Sequence, residues 1–346
     1  MVLASVLAAA LLGCGDGPLL FDVTVHQPDA VEAGLILGTS FDGSSSSVFL
    51  VDREGRARWL RHLPTGFVTA NAITNGRHLL YDDMLGSGGY GHIRQLSLEG
   101  VDDEPIEVHA LHHSFTQTPD GSLAWLEVDI RDTWQWGPVV GDRIVERGPD
   151  GTERVVTSLW DHLPVTTHGF FDETYYPQGK DWTHCNGITY DTHSDRYVVT
   201  SRNLGAVLEI DRHTGDMVRY LDASNLAGQT LYAPHAARWT PQGTLLLVSS
   251  APDDTATWAS ELAVHHDGSL QEIWSHGRDD DLFAHAKGEA RRLDGGNTLV
   301  NWGSAGMIRE IAPDGTVVWE ARVVGDDFLG TTTLVDADAV AGVTGP

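Results

Sequence analysis

The sequence of 346 residues predicts an all-β chain folded as a six-bladed β-propeller, and three observations lead there. Thirty-eight glycines and eleven tryptophans favour short strands and tight turns over helices. No long apolar stripe of helical period runs from residue 34 to the end. Turn signals recur at roughly 40 to 50 residues, the length of one propeller blade.

The elements follow in chain order. Residues 1–13, MVLASVLAAALLG, form an apolar run too short to span a bilayer and read as an export signal of the lipoprotein type. Leu11 to Cys14, LLGC, resembles a bacterial lipobox, so Cys14 is expected to carry lipid. The expected location is that of an exported bacterial lipoprotein on the periplasmic or envelope side of the membrane. Residues 14–33 then supply a tether and a lead-in strand. Cys185 is the other cysteine, and with Cys14 lipidated no disulfide within the chain is expected.

The propeller is expected over 34–336, with blades at about 34–62, 67–108, 112–158, 184–221, 235–276 and 286–323. TPDGS at 118–122 and TPQGT at 240–244 mark first turns of blades, and PDGT at 149–152 and 313–316 marks last turns. Their glycines supply the positive φ that such hairpins demand. Residues 159–183, rich in proline and aromatics, form an insertion placed to lie over a channel mouth. The stretch TTTLVD, 331–336, is a candidate closing strand for the first blade, and 337–346 is a tail.

A formal net charge of −27 and a pI near 4.7 argue against nucleic acid or anionic headgroups as the main partner, because the protein's field repels both. Membrane contact is expected through the N-terminal lipid alone.

In a propeller the innermost strand of each blade lines the channel, so strand starts are the place to seek chemistry. His113 and His235 each stand six residues before the turn residue at 119 or 241. Asn186 aligns at the same level, with His184 two residues earlier and therefore on the same face. The next strand returns antiparallel and sets Arg202 beside them. In HAKGEARRLDG, His285 falls near the rim and Gly288 in register, while His112 is expected to point away from His113. Three imidazoles, an amide and a guanidinium thus converge on one channel mouth.

These residues carry a resemblance. DWTHCNGITYD, YVVTSRNLGAVLEIDRHTGDMV, PHAARWTPQGTLLL and EARRLDGGNTLVNWGSAGMIREIAPDGTVVWEA resemble the bacterial arylsulfotransferases, the PAPS-independent aryl sulfate sulfotransferases, over residues 34 to about 323. The resemblance implies a six-bladed propeller with its site in the central channel. It implies that His235 is a nucleophile forming a transient sulfohistidine. His184, Asn186 and Arg202 would hold the sulfuryl oxygens, and His113 would be a further channel histidine. The partners it implies are a phenolic sulfate donor and a phenol acceptor, with no metal and no other cofactor.

The chemistry asks for these residue types. A sulfate ester spreads negative charge over three oxygens, so its transfer needs fixed donors and a neutral attacking nitrogen. Arg202 offers a planar cationic fork, and a second imidazole, His184 or His113, can move the phenol's proton. Gly187 stands where the family usually has serine, and the β-sandwich that precedes the propeller in longer members is not expected here. Two alternatives remain open: a non-catalytic lipid-anchored binding module, and a metal-dependent channel site built from the histidines.

Overall fold

Six antiparallel sheets, each packed on the next across an apolar seam, make up the computed structural model, which describes residues 17–63, 71–74, 78–84, 90–97, 105–165, 175–226, 231–325, 327–338 and 340. The inner strands of blades two to six are Asn71–Thr74, Leu111–Gln117, Cys185–Asp191, His235–Trp239 and Glu289–Arg292. Each is followed in sequence by the next three strands of its own blade, as local hairpin turns require.

Alternating side chains build the seams. Leu50 and Trp59 of blade one cluster with Leu79 and Tyr81 of blade two. Leu126 and Ile144 of blade three cluster with Ile188, Val199 and Leu208 of blade four. Phe49 and Val51 of blade one also cluster with Ile308, Trp319 and Ala321 of blade six, so the ring closes. The closed ring is a six-bladed β-propeller. Polar links cross the seams too: the Trp319 indole donates to the Arg53 carbonyl at 2.8 Å, and Arg53 pairs with Glu310 at 2.6 Å.

Both ends of the described chain serve closure. Phe328–Val335 pairs with Leu35–Phe41 and becomes the innermost strand of blade one. Phe21–His26 pairs with Val317–Val323 as a fifth, outermost strand of blade six. Each sheet edge that would otherwise stand open in blades one and six is therefore satisfied by a distant part of the chain.

The turns show why the repeated motifs work. Thr118 N–H donates to the Ser122 carbonyl and Gly121 N–H to the Thr118 carbonyl, each at 2.9 Å, while Asp120 accepts from Ser122 N–H. Gly121 takes φ +88°, a conformation that glycine adopts without a Cβ clash. The expected export signal at 1–13, Cys14 and residues 166–174 of the expected insertion lie outside the described residues, as does most of the tail.

Candidate functional site

The inner strands of blades three, four and five are bulged where the candidate residues sit. Leu111 to Phe115 opposes Glu127 to Trp125, which leaves two extra residues around His113. Cys185 and Gly187 oppose the neighbours Ser201 and Thr200, so Asn186 is the extra residue of blade four. His235 to Arg238 opposes Val248 to Leu246, with Ala236 at φ +52° inside the bulge. Bulges re-aim side chains and are frequent beside active sites.

Non-glycine residues with left-handed backbone gather at the same level: His113 at φ +58°, His184 at +42°, Ala233 at +46° and Lys287 at +65°. Each such residue costs on the order of 1–3 kcal/mol and persists only where its surroundings enforce it.

The result is one cavity of about 240 Å³ whose lining includes His113, His184, Asn186, Arg202 and His235. The structure therefore brings all five sequence-predicted residues to a single chamber. His285 lies exposed on its rim. Thr200 donates to the Asn186 oxygen at 2.6 Å, which turns the amide nitrogen into the remaining donor. The Arg202 guanidinium is braced by Asn203 Oδ1 at 2.9 Å. Gly187 presses on the next blade, because a Cβ there would lie 3.0 Å from Ala236 N and 2.8 Å from Thr200 Oγ1.

Electrostatics separate the histidines by role. Burial holds the His235 imidazole down to about 3, helped by the Lys287 ammonium and opposed by the Gly288 backbone, so the ring is neutral at physiological pH. Its Nδ1 is buried without a hydrogen-bond partner among the described residues. Burial and then His184 and Lys287 push His113 well below its ordinary value. His184 Nδ1 bonds the Asp181 carboxylate, whose own pKa is raised by burial.

Five supporting residues escape a reading by strand register. Lys287 lines the cavity between His285 and Gly288, and burial lowers its ammonium to about 8 against the pull of Asp82. Asp181 comes from the short strand Lys180–Asp181, which pairs in parallel with Val139 and Val140. Tyr175, from the stretch 159–183 that no repeat aligns, meets His113 Nε2 at 3.1 Å, stacks on that ring and lines the cavity.

The last two are His112 and Asp142. His112 does not point away from His113, as alternation predicts: the bulge brings the two Nδ1 atoms to 2.9 Å. His112 Nε2 lies 2.9 Å from Asp142. Burial pushes Asp142 up, but His112, the Thr183 hydroxyl and the Cys185 N–H outweigh it and hold the carboxyl below its ordinary value. One proton occupies the bond between the two rings, and its position decides whether His113 Nε2 accepts from Tyr175 or donates to it. Cys185 itself is a free, buried thiol whose pKa burial raises well above normal.

Comparison with known proteins now decides the family. The profile of the arylsulfotransferase family (ASST) matches residues 22–229, more than half of the chain. The chain belongs to the arylsulfotransferase family. It is thus an enzyme of the PAPS-independent sulfotransferase class, a family that takes phenolic sulfate donors and phenol acceptors. No curated protein matches it.

Among solved structures the arylsulfotransferase chain resembles a protein of unknown function from Bacteroides caccae, at TM-score 0.54 and 14% identity, over 87% of this chain and 98% of that one. It also resembles a catalytically inactive virginiamycin B lyase from Staphylococcus aureus solved with quinupristin, at TM-score 0.51 and 11% identity, over 91% and 99% of the two chains. At these identities the likeness is one of fold.

Proposed function

We propose that this enzyme moves a sulfuryl group from a phenolic sulfate ester to a phenol by double displacement through a sulfohistidine at His235. The observation that carries the reading is a neutral, buried imidazole sharing one chamber with Arg202, His184 and Asn186. Because Nδ1 is buried, the reading assigns the attack to Nε2.

In the first half-reaction the Nε2 lone pair attacks sulfur and the sulfur–oxygen bond to the aryl group breaks. The Asp181–His184 pair gives its proton to the departing phenolate oxygen. In the second half the pair takes the proton of the acceptor phenol, whose oxygen attacks sulfur as the nitrogen–sulfur bond breaks. His235 is regenerated neutral. Arg202, the Asn186 amide and Lys287 face the charge on the sulfuryl oxygens throughout. Arg202 and Lys287 oppose a metal cation in the same chamber, which weighs against a histidine metal site.

The test is release of a chromogenic phenol from its sulfate ester, with mass analysis of the trapped protein for an added sulfuryl group on His235. His235→Ala is expected to lower turnover by at least about a thousandfold. Equal release by the variant would sink the reading.

We also propose export and lipidation at Cys14, supported by the LLGC sequence. Labelled fatty acid incorporated into the wild type and not into Cys14→Ser tests it. Incorporation unchanged by the substitution would overturn it.

A further inference from the structure

A second cavity, of about 360 Å³, continues from the chamber toward the opposite face of the propeller. It shares His113, Asn186, His235 and Lys287 with the mouth cavity, and at its far side stand Arg238, Glu289 and Arg291. Arg238 Nη2 and Arg291 Nη2 both donate to the same oxygen, Glu289 Oε2, at 3.0 Å each. The other oxygen, Oε1, accepts the Thr332 backbone N–H. One carboxylate therefore neutralises one of two guanidiniums, with both of its oxygens engaged. The Nε atoms of both arginines are buried without a partner among the described residues.

Three consequences follow. The arginine pair carries one positive charge more than Glu289, the carboxylate bonded to both, can balance. Burial, and then the neighbouring Arg291, already hold Arg238 down to about 9, with Glu289 opposing them. On the opposite face the same two arginines, with Arg292, also line a cavity that carries Glu32, Asp294 and Asp336, so the pair is open to an anion from the His235 side and meets carboxylates on the far side.

We propose that Arg238 and Arg291 form a subsite for a carboxylate on the phenol itself, which makes phenolic acids the favoured substrate class. The proposal rests on the sulfuryl-transfer reading for its reactive end. His235 and Arg238 lie three residues apart on one strand, about 10 Å at the usual rise and somewhat less through the bulge. A hydroxyl placed at His235 and a carboxylate placed at the arginines are then the two ends of one phenol ring bearing a short acid chain opposite its hydroxyl. The cavity volume accepts such a molecule.

The experiment compares calorimetric binding of 3-(4-hydroxyphenyl)propionate and its uncharged amide to the full chain at fixed salt. The acid is expected to bind at least about tenfold more tightly, the worth of one charge-assisted contact. In Arg291→Gln, where glutamine keeps a donor for Glu289, that advantage is expected to fall below about threefold. Acid and amide binding alike, binding of neither, or an advantage that survives in the variant overturns the subsite. If the variant does not fold, the comparison on the wild type still decides.

Turnover of both compounds as acceptors, with a chromogenic sulfate as donor, separates the two claims. Turnover without an acid advantage overturns the subsite alone. An acid advantage without turnover sinks the transfer reading and leaves the anion subsite standing.

Discussion

The Arg202 backbone N–H donates to the His184 carbonyl oxygen at 3.0 Å. Two residues that line one cavity are thereby locked to each other through main chain, at the open end of a single hairpin. The hairpin runs Cys185–Asp191 and back through Arg196–Ser201, whose strands are buried on both faces by their apolar residues. Packing of that hairpin fixes the site before any side chain meets substrate.

Arg202→Lys keeps the main-chain bond and the charge and removes the planar fork. A fall in kcat/KM of about ten- to a hundredfold is expected, since a guanidinium engages two oxyanion atoms where an ammonium acts as a point charge. Thermal melting is expected to stay near wild type, because the replaced group lines a cavity and the lysine keeps its charge. Steady-state kinetics beside a melting curve checks both, and a change under threefold would remove Arg202 from the reacting centre.

Gly187→Ser restores the residue usual in the family and is expected to harm this member. The added Cβ meets Ala236 N at 3.0 Å and Ala236 Cα at 3.1 Å, both backbone atoms next to His235. Overpacking of this kind costs about 1–3 kcal/mol, and any relief by movement of Ala236 displaces the imidazole. Lower melting temperature together with lower kcat is the expected pair. A stabilised, more active variant would show that the two blades are less tightly apposed than their contacts indicate.

The architecture was legible in the sequence because turn chemistry is local: Thr118 to Ser122 and its counterparts announce each hairpin without help from the rest of the chain. The level of His113, His184, Asn186 and His235 was legible for the same reason, by counting back from turns. Side-chain direction was not, because a bulge is an extra residue imposed by neighbours across the sheet, and alternation fails at it. His112 is the example. Lys287 was passed over because its left-handed φ breaks the alternation just before Gly288, the position in register. Asp181 and Tyr175 reach the site from the stretch 159–183, which no repeat aligns.

Deleting residues 328–346 removes the innermost strand of blade one, including Leu329, which is fully buried. The strand Leu35–Phe41 then loses its inner partner, and an edge opens in the channel wall. Loss of a single cooperative unfolding transition is expected in a denaturant titration followed by tryptophan fluorescence. A sharp transition at the wild-type midpoint would mean that the ring holds without this strand.

Acid stability carries a signature of His235. Its folded pKa near 3 lies below the ordinary 6.5 of an unfolded imidazole. Between those values the unfolded chain binds a proton that the folded chain refuses, so stability falls as pH drops from 6.5 toward 3. His113, also depressed by burial, adds a slope of the same sign. His235→Gln is expected to flatten this dependence partly, measured as unfolding free energy against pH. An unchanged slope would place the imidazole in water.

Two shifts shape the expected pH profile of activity. His235 stays neutral above about pH 3, so, as the proposed nucleophile, it is expected to produce no acid limb near neutrality. Lys287, lowered to about 8 by burial, is charged below that value and neutral above it. The sulfate ester is an anion at every pH of interest, so its attraction to the chamber weakens as pH rises through about 8. A profile of kcat/KM is expected to bend downward there. Lys287→Arg, which keeps its charge well into the alkaline range, is expected to carry the bend upward, and Lys287→Met to flatten the limb at a lower plateau. If all three proteins show the same alkaline limb, another group sets it and Lys287 has no part in holding the sulfuryl oxygens.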